Sequence, residues 1–236
     1  MEKQILEQKK KLENGLIINM IREERQMLTE DLKELHQRSN GRLPKETIAL
    51  MDRMREELIA SKIMESVPKV GDSMPAFNLI NATGETIRSS DLLAKGPLVI
   101  SFYRGAWCPY CNLELRAYQS ILNEIHERGG QLVAISPELP DTSITLTEKH
   151  NLQFEVLSDK DNAFAKVLGI VFSMQEELVI LYKSFGFDIE NAQGNANYEL
   201  PIPATLVVDQ SGKILFIHAE VDYTKRAEPR DVLAYL

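Results

Sequence analysis

Two cysteines with two residues between them, Cys108 and Cys111, constrain this chain more than any other feature, and they are its entire cysteine content. They follow an apolar run over residues 97–103 (PLVISFY), which predicts a buried strand that leads into a helix. The start of a helix favours a thiolate over a thiol, so Cys108 is the expected nucleophile. Cys111, on the first helical turn, is close enough for a disulfide to form without much backbone movement. The pattern predicts reversible thiol redox chemistry.

Two other roles are open to a cysteine pair of this kind. A structural zinc site needs four ligands, and none of the histidines stands at ligand spacing from the pair. The histidines are His36, His126, His150 and His218. Two inert buried thiols would conflict with the strand-to-helix position and with Trp107 beside Cys108. The sequence therefore predicts no metal site and no cofactor.

Length and charge limit the possible partners and location. A chain of 236 residues is long enough to bury its own core, so stability need not come from disulfides. The formal net charge of -8 disfavours nucleic acid or an anionic membrane, because phosphate binding needs clustered Lys and Arg. The first residues (MEKQILE) lack the apolar core of a signal peptide, and no stretch reaches the roughly 18 apolar residues of a membrane span. We expect a cytoplasmic protein whose partners are proteins and small molecules.

Residues 1–66 differ in composition from the rest and are predicted to form a helical extension before a domain over residues 67–236. They are rich in Glu, Lys, Arg, Leu and Met, and large apolar side chains recur on one face of a helix over residues 3–38. Pro44 opens a second helix, which completes a helical hairpin. We expect the hairpin to pack within its own chain, since amphipathic stripes usually do so, and a homodimer contact is the alternative.

Short strands and helices alternate from residue 71 onward. The predicted strands are residues 77–80, 85–88, 97–103, 132–135, 154–158, 204–208 and 213–217. The predicted helices are residues 110–128, 141–150, 163–168 and 175–183, and residues 186–198 are expected to be a polar loop. Strands separated by helices imply a parallel sheet that is covered on both faces.

Five segments of residues 70–236 carry motifs of one family. They are residues 70–77 (VGDSMPAF), 96–111 (GPLVISFYRGAWCPYC), 157–161 (LSDKD), 201–205 (PIPAT) and 222–229 (DYTKRAEP). Together they resemble the peroxiredoxin-like branch of the alkyl hydroperoxide reductase/thiol-specific antioxidant (AhpC/TSA) family. The resemblance implies an α/β, thioredoxin-like fold with a central mixed sheet flanked by helices. It also implies thiol-dependent peroxide reduction at Cys108.

The chain departs from the usual peroxiredoxin pattern in the region of the expected peroxide pocket. Typical members have Pro seven residues and Thr three residues before the peroxidatic cysteine, and here these positions are Ser101 and Gly105. Their arginine before the last hairpin strand corresponds to Pro203. The similarity to thioredoxins and glutaredoxins implies instead that the bond before Pro203 is cis and that this proline faces the cysteine pair. Arg104 is the candidate that supplies positive charge to Cys108, although most arginines make only surface ion pairs.

Trp107 has both a structural and a functional interpretation. It is the only tryptophan of the chain and can pack between the strand and the helix. A half-exposed ring beside Cys108 would also shield the sulfur and offer an apolar contact to partner proteins.

The leading function is a thiol-dependent peroxidase in which Cys108 becomes a sulfenic acid and Cys111 resolves it as a disulfide. A donor of the thioredoxin or glutathione type then restores the dithiol. A protein disulfide oxidoreductase without significant peroxidase activity is the first alternative, and the missing Thr and Arg favour it. The second alternative is a redox-sensing interaction protein with the helical hairpin as its effector surface.

Overall fold

The computed structural model of the chain describes residues 28–236. The first part of the helix predicted over residues 3–38 therefore lies outside the described residues. The helices are α1 Leu28–Asn40, α2 Lys45–Ala60, α3 Ser89–Leu93, α4 Pro109–Ser120, α5 Leu122–Glu127, α6 Pro140–His150, α7 Ala163–Val167, α8 Glu176–Ser184, α9 Ile189–Gln193 and α10 Pro229–Val232. The strands are β1 Asn78–Asn81, β2 Thr86–Arg88, β3 Leu98–Phe102, β4 Gln131–Ser136, β5 Glu155–Ser158, β6 Val171–Ser173, β7 Glu199–Pro201, β8 Ala204–Val208 and β9 Ile214–Ala219.

A seven-stranded mixed sheet lies at the centre of the described residues, in the order β2-β1-β5-β4-β3-β8-β9. Strands β3, β4 and β5 run parallel to one another, and the other neighbouring pairs are antiparallel. The mixed sheet of the thioredoxin-like fold is confirmed, but the expectation of a parallel sheet holds only for these three strands. Tight hairpins join β1 to β2 and β8 to β9, and a hairpin imposes antiparallel pairing.

Strand β3 lies in the middle of the sheet and determines where helix α4 begins. All five of its residues are buried. Val99 belongs to an apolar cluster with Leu115 of α4 on one face of the sheet. Leu98 and Ile100 belong to a cluster with Phe164 of α7. Because neighbouring side chains point to opposite faces, a strand that is covered on both faces has a continuous apolar sequence.

Helix α1 packs against α4 through buried leucines. Leu28 and Leu32 belong to the same apolar cluster as Leu115. The carboxylate of Glu228 accepts hydrogen bonds from the first backbone N–H groups of α1, at 3.1 Å from Leu28 N and 2.7 Å from Thr29 N. A carboxylate at this end of a helix also complements the helix dipole. The described part of the hairpin thus packs within its own chain, whereas the domain boundary after residue 66 and the homodimer contact stay predictions.

Several short elements differ from the prediction. The helix expected over residues 110–128 is broken at Ile121, whose φ of -110° and ψ of 10° are not helical. The loop expected over residues 186–198 contains α9, which is capped by the Asp188 side chain at 3.0 Å from Asn191 N. Strands β6 and β7 form a separate two-stranded sheet. The unpredicted elements α9, β6 and β7 have five, three and three residues, so each carries only a weak signal in the sequence.

Two observations apply to residues 28–236 alone. No helix there is both long and apolar enough to cross a lipid bilayer. No group of three or more His, Cys, Asp or Glu side chains in this range is arranged to hold a metal ion.

Replacing Leu32 with alanine tests whether α1 is part of the core. Leu32→Ala removes a buried side chain, so we expect the free energy of unfolding to fall by about 2–5 kcal/mol. Lys33→Ala, at the exposed neighbouring position, is the control and should change it by less than about 0.5 kcal/mol. Urea unfolding followed by circular dichroism measures both. Equal stability of the two variants would show that α1 contributes nothing to the core.

Candidate active site

Cys108 stands directly before helix α4, and Pro109 is the first helical residue. Proline fits this position because its φ is fixed and the first N–H groups of a helix have no partner within the helix. The turn is closed by hydrogen bonds from Cys108 N to Gly105 O and from Asn112 N to Cys108 O, both of 3.1 Å. Cys108 and Cys111 are both free thiols, and both are fully buried. The nucleophile candidate is thus at the positive end of the helix, although it is less exposed than a reactive thiol usually is.

Arg104 lies against the Cys108 sulfur. Its Nη2 donates a hydrogen bond to Cys108 Sγ at 3.1 Å, and its Nη1 donates to the Tyr182 hydroxyl at 3.0 Å. The guanidinium carbon is 4.0 Å from the ring centroid of Tyr223 and 5.1 Å from that of Trp107. Arg104 is 4% exposed. Sulfur, hydroxyl and ring contacts together hold this buried cation in one orientation.

A second buried arginine reaches the other sulfur. Arg226 Nη2 donates a hydrogen bond to Cys111 Sγ at 3.6 Å. Its Nε forms an ion pair with Glu114 Oε2 at 2.8 Å, and the two side chains are 1% and 0% exposed. Its Nη1 donates to the backbone carbonyl of Tyr223. Glu114 Oε1 accepts a further hydrogen bond from Thr205 Oγ1 at 3.4 Å.

The two thiols differ in their tendency to ionise. Burial would raise the pKa of Cys108, but a hydrogen bond from Cys111 and the charges of Arg104 and Arg226 hold this pKa well below its ordinary value. Burial raises the pKa of Cys111 well above its ordinary value, and the hydrogen bond to Cys108 adds to the rise. The site therefore favours a thiolate on Cys108 and a neutral thiol on Cys111.

Gly105 leaves room for two side chains that pack over the cysteine turn. Its φ is +153°, and a Cβ at this position would lie 2.3 Å from Trp107 Nε1 and 2.7 Å from Glu138 Oε1. Glu138 Oε2 accepts a hydrogen bond from Ala106 N at 2.8 Å. The position at which a peroxiredoxin usually carries Thr is thus filled by an indole and a carboxyl group.

Trp107 is partly exposed and belongs to an aromatic cluster beside the site. Its ring centroid is 5.5 Å from that of Tyr182 and 5.2 Å from that of Phe187. An open groove of about 260 Å³ passes this cluster, and its lining includes Arg104, Trp107 and Pro109. The groove gives a small molecule access to the guanidinium that contacts the Cys108 sulfur.

Pro203 lies in the wall of a second cavity that Arg104 and Tyr223 also line. The bond between Ile202 and Pro203 is trans, so the prediction of a cis bond is wrong. The chain runs from β7 into β8 along an extended path, and Ile202 N donates a hydrogen bond to Ile170 O at 2.7 Å. X-Pro bonds are usually trans, and this path does not require the other isomer. The structure therefore lacks, at Pro203, the cis-proline platform that the thioredoxin similarity implies.

Three buried charged residues of the site were not among the candidates from sequence. Glu114 stands three residues after Cys111, on the same face of α4, and a charged residue on the buried face of a helix was a usable signal. Arg226 belongs to the motif at residues 222–229, but no sequence pattern pairs it with Glu114, from which it is 112 residues away. Glu138 follows β4, whose carboxyl end lies beside that of β3.

Comparison with known families decides the classification. A model described as the AhpC/TSA family matches residues 70–217, which is more than half of the chain. The chain belongs to the AhpC/TSA family. The resemblance inferred from the motifs is thereby confirmed.

Several peroxiredoxins are similar to this AhpC/TSA chain. A putative peroxiredoxin Bcp of Buchnera aphidicola is 34% identical over 102 residues, which are 43% of this chain and 64% of that protein, less than two thirds of its length. A putative peroxiredoxin of Mycobacterium tuberculosis is 27% identical over 154 residues, 65% of this chain and 87% of that protein. The crystal structure of peroxidoxin BcpB from M. tuberculosis has a TM-score of 0.56 at 24% identity and covers 70% of this chain and 94% of that one. Reduced Prx3 of Vibrio vulnificus has a TM-score of 0.57 at 18% identity, over 72% and 99% of the two chains. These two structures show that the AhpC/TSA chain shares their fold.

The buried Glu138 makes stability depend on pH in a defined direction. Burial raises the pKa of Glu138 from 4.5 to about 7, with a smaller contribution from Cys108, although the Ala106 N–H opposes the rise. Between pH 4.5 and about pH 7, Glu138 keeps its proton in the folded protein but loses it in the unfolded chain. The free energy of unfolding therefore falls as the pH rises through this range. Glu138→Gln, which has no such proton, should gain stability relative to the parent between about pH 5 and about pH 8, as measured by urea unfolding.

The exposed Glu127→Gln variant is the control for the loss of one carboxylate. If the stability difference between the parent and Glu138→Gln is the same at about pH 5 and about pH 8, the raised pKa of Glu138 is contradicted.

Proposed function

We propose that this AhpC/TSA protein is a thiol-dependent peroxidase in which Cys108 attacks a hydroperoxide and Cys111 resolves the product. One observation carries the proposal: Arg104 Nη2 lies 3.1 Å from the Cys108 sulfur, which has no exposed surface. The thiolate is the nucleophilic form of cysteine, and a cation in a buried site stabilises it strongly. The peroxiredoxin names of the similar proteins agree with this chemistry.

A side chain of the site can carry out or assist each step of the proposed cycle. The Cys108 thiolate attacks one peroxide oxygen, the O–O bond breaks, and the leaving oxygen takes up a proton, which yields a sulfenic acid and an alcohol or water. Arg104 is positioned to donate a hydrogen bond to the oxygen on which negative charge develops. Cys111 then displaces hydroxide from the Cys108 sulfur, so that a disulfide and water form.

The disulfide must be reduced for another turnover. A donor of the thioredoxin or glutathione type does so by two successive thiol–disulfide exchanges. The proposal places the protein in the cytoplasm, where such donors keep thiols reduced.

Burial of the sulfurs favours a small substrate over a protein disulfide. A hydroperoxide can enter the groove along Arg104, Trp107 and Pro109 and then needs only a local displacement of the side chains over the sulfur. A protein disulfide would also have to bring the chain around it to sulfurs that have no exposed surface. The trans bond before Pro203 also removes the cis-proline platform that the thioredoxin similarity implied for binding a protein disulfide. We therefore place peroxide reduction ahead of both alternatives.

Substitution of Arg104 separates the two enzymatic functions. Arg104→Met removes the charge and keeps the length of the side chain, so the rate constant for hydroperoxide should fall about tenfold or more, which corresponds to about 1.4 kcal/mol. Peroxide consumption with dithiothreitol as the donor measures this effect. Reduction of insulin disulfides by the same proteins should fall less, because a leaving sulfur needs little support from a cation.

Arg116→Met is the matched control, since Arg116 is an exposed arginine on the same helix α4. Its peroxide consumption should equal that of the parent. A parent protein that consumes no hydroperoxide with any thiol donor but readily reduces insulin disulfides would replace the peroxidase proposal with the disulfide reductase.

A further inference from the structure

In the proposed peroxidase cycle, Cys111 must act as a nucleophile although it is buried. Its thiol must lose a proton in order to attack oxidised Cys108, yet it is fully buried. Burial disfavours the charged form of a thiol and slows attack unless a cation compensates. Arg226 is such a cation, because its Nη2 donates a hydrogen bond to Cys111 Sγ at 3.6 Å.

The guanidinium of Arg226 is held on three sides. Its Nε contacts Glu114 Oε2 at 2.8 Å, its Nη1 contacts the carbonyls of Tyr223 and Lys225, and its Nη2 contacts the sulfur. Both members of the ion pair are almost completely buried. A buried ion pair is weak evidence for stability, because desolvation of the two charges can exceed their attraction. Its position at a redox sulfur points to a role in chemistry.

We propose that Arg226 is a catalytic residue in the attack of Cys111 on oxidised Cys108, and that Glu114 is the residue that positions it. This role rests on the proposed function, in which Cys108 carries the leaving group. The S–H bond of Cys111 and the S–O bond of the sulfenic acid break, the S–S bond forms, and the proton departs with hydroxide as water. Arg226 stabilises the negative charge that develops on the attacking sulfur. Arg104 thus stabilises negative charge at the Cys108 sulfur, and Arg226 does so at the Cys111 sulfur.

The surroundings of Glu114 fit a positioning role. Thr205 Oγ1 donates to its second carboxylate oxygen at 3.4 Å, and the Tyr118 hydroxyl donates to Thr205 Oγ1 at 3.2 Å. Burial raises the pKa of Glu114 to about 7, against the charge of Arg226, and the Cys108 thiolate adds to the rise. Oxidation of Cys108 to a neutral sulfenic acid removes that last contribution. Glu114 is then more fully ionised at the stage when Arg226 must be held in place.

Ellman's reagent tests the role without any peroxide. Cys108 attacks the reagent, releases one nitrothiobenzoate and retains the other half as a mixed disulfide. Cys111 then attacks this mixed disulfide and releases the second nitrothiobenzoate, so the absorbance of the released product shows both attacks as separate phases. In the full-length protein, Arg226→Met should slow the second phase about tenfold or more and the first less than about threefold.

A lysine variant and a matched control show whether the charge and the geometry of Arg226 are responsible. Arg226→Lys keeps the charge but not the planar fork that spans Glu114 and Cys111, so it should recover part of the second phase. Arg230→Met is the matched control, because Arg230 is an exposed arginine of the same C-terminal segment and pairs with Glu124. Its two phases should equal those of the parent. If Arg226→Met does not fold, the double variant Glu114→Gln/Arg226→Met replaces the pair with neutral groups and should show the same slow second phase.

The rate constant of the second phase divided by that of the first separates a catalytic from a structural role. A loss of folded protein lowers the amplitudes of both phases and leaves this ratio unchanged. Glu114→Gln, which leaves Arg226 in place, should lower this ratio less than Arg226→Met does. Equal slowing of both phases in Arg226→Met, or an unchanged second phase, would overturn the role of Arg226.

The same proteins treated with one equivalent of hydroperoxide, with dimedone as the trap, connect the result to the peroxidase cycle. Trapped sulfenic acid should be more abundant in Arg226→Met than in the parent, as measured by mass spectrometry. If the parent with Cys111 replaced by serine traps no sulfenic acid while the Ellman phases respond as expected, the peroxidase proposal fails and the role of Arg226 in disulfide formation stands.

Discussion

The contact between the Arg104 guanidinium and the Cys108 sulfur is the interaction on which the rest of the site depends. It joins a cation and a sulfur that are both buried, at 3.1 Å. Burying either charge alone would be costly, so each group keeps its partner ionised. The Tyr182 hydroxyl and the Tyr223 ring hold the guanidinium from its other sides. Without this contact the pKa of Cys108 would be higher, and less of the sulfur would be in the reactive thiolate form.

The C-terminal segment after β9 connects the active site to the N-terminal helices. Tyr223 lies against Arg104, and Arg226 contacts Cys111 three residues later. Glu228 then binds the first N–H groups of α1. One short stretch of chain thus contacts both arginine–sulfur pairs and anchors the helical hairpin. We infer that loosening this stretch would affect both the chemistry and the docking of α1.

Sequence patterns predicted those parts of the site that are close together along the chain. Cys108, Cys111 and Arg104 fall within eight residues, where a strand-to-helix transition restricts their arrangement. Glu114, the ion-pair partner of Arg226, is distant from it along the chain, and so are Tyr182 and Tyr223 from Arg104. Only the folded chain brings these residues together. The cis bond before Pro203 was inferred from similarity to thioredoxins, and the backbone here follows a different path. The long apolar strands of the central sheet were visible in the sequence, whereas the three-residue strands β6 and β7 of the separate small sheet were not.

Titration of the Cys108 thiolate tests the central claim most directly. The Cys111→Ser protein is followed by the ultraviolet absorbance of the thiolate, with the protein that lacks both cysteines as the blank. The account predicts that Cys108 ionises well below the pKa of about 8.5 of an ordinary cysteine thiol, and that Arg104→Met raises its pKa by about one unit or more. A pKa at or above the ordinary value that does not respond to Arg104→Met would contradict the account.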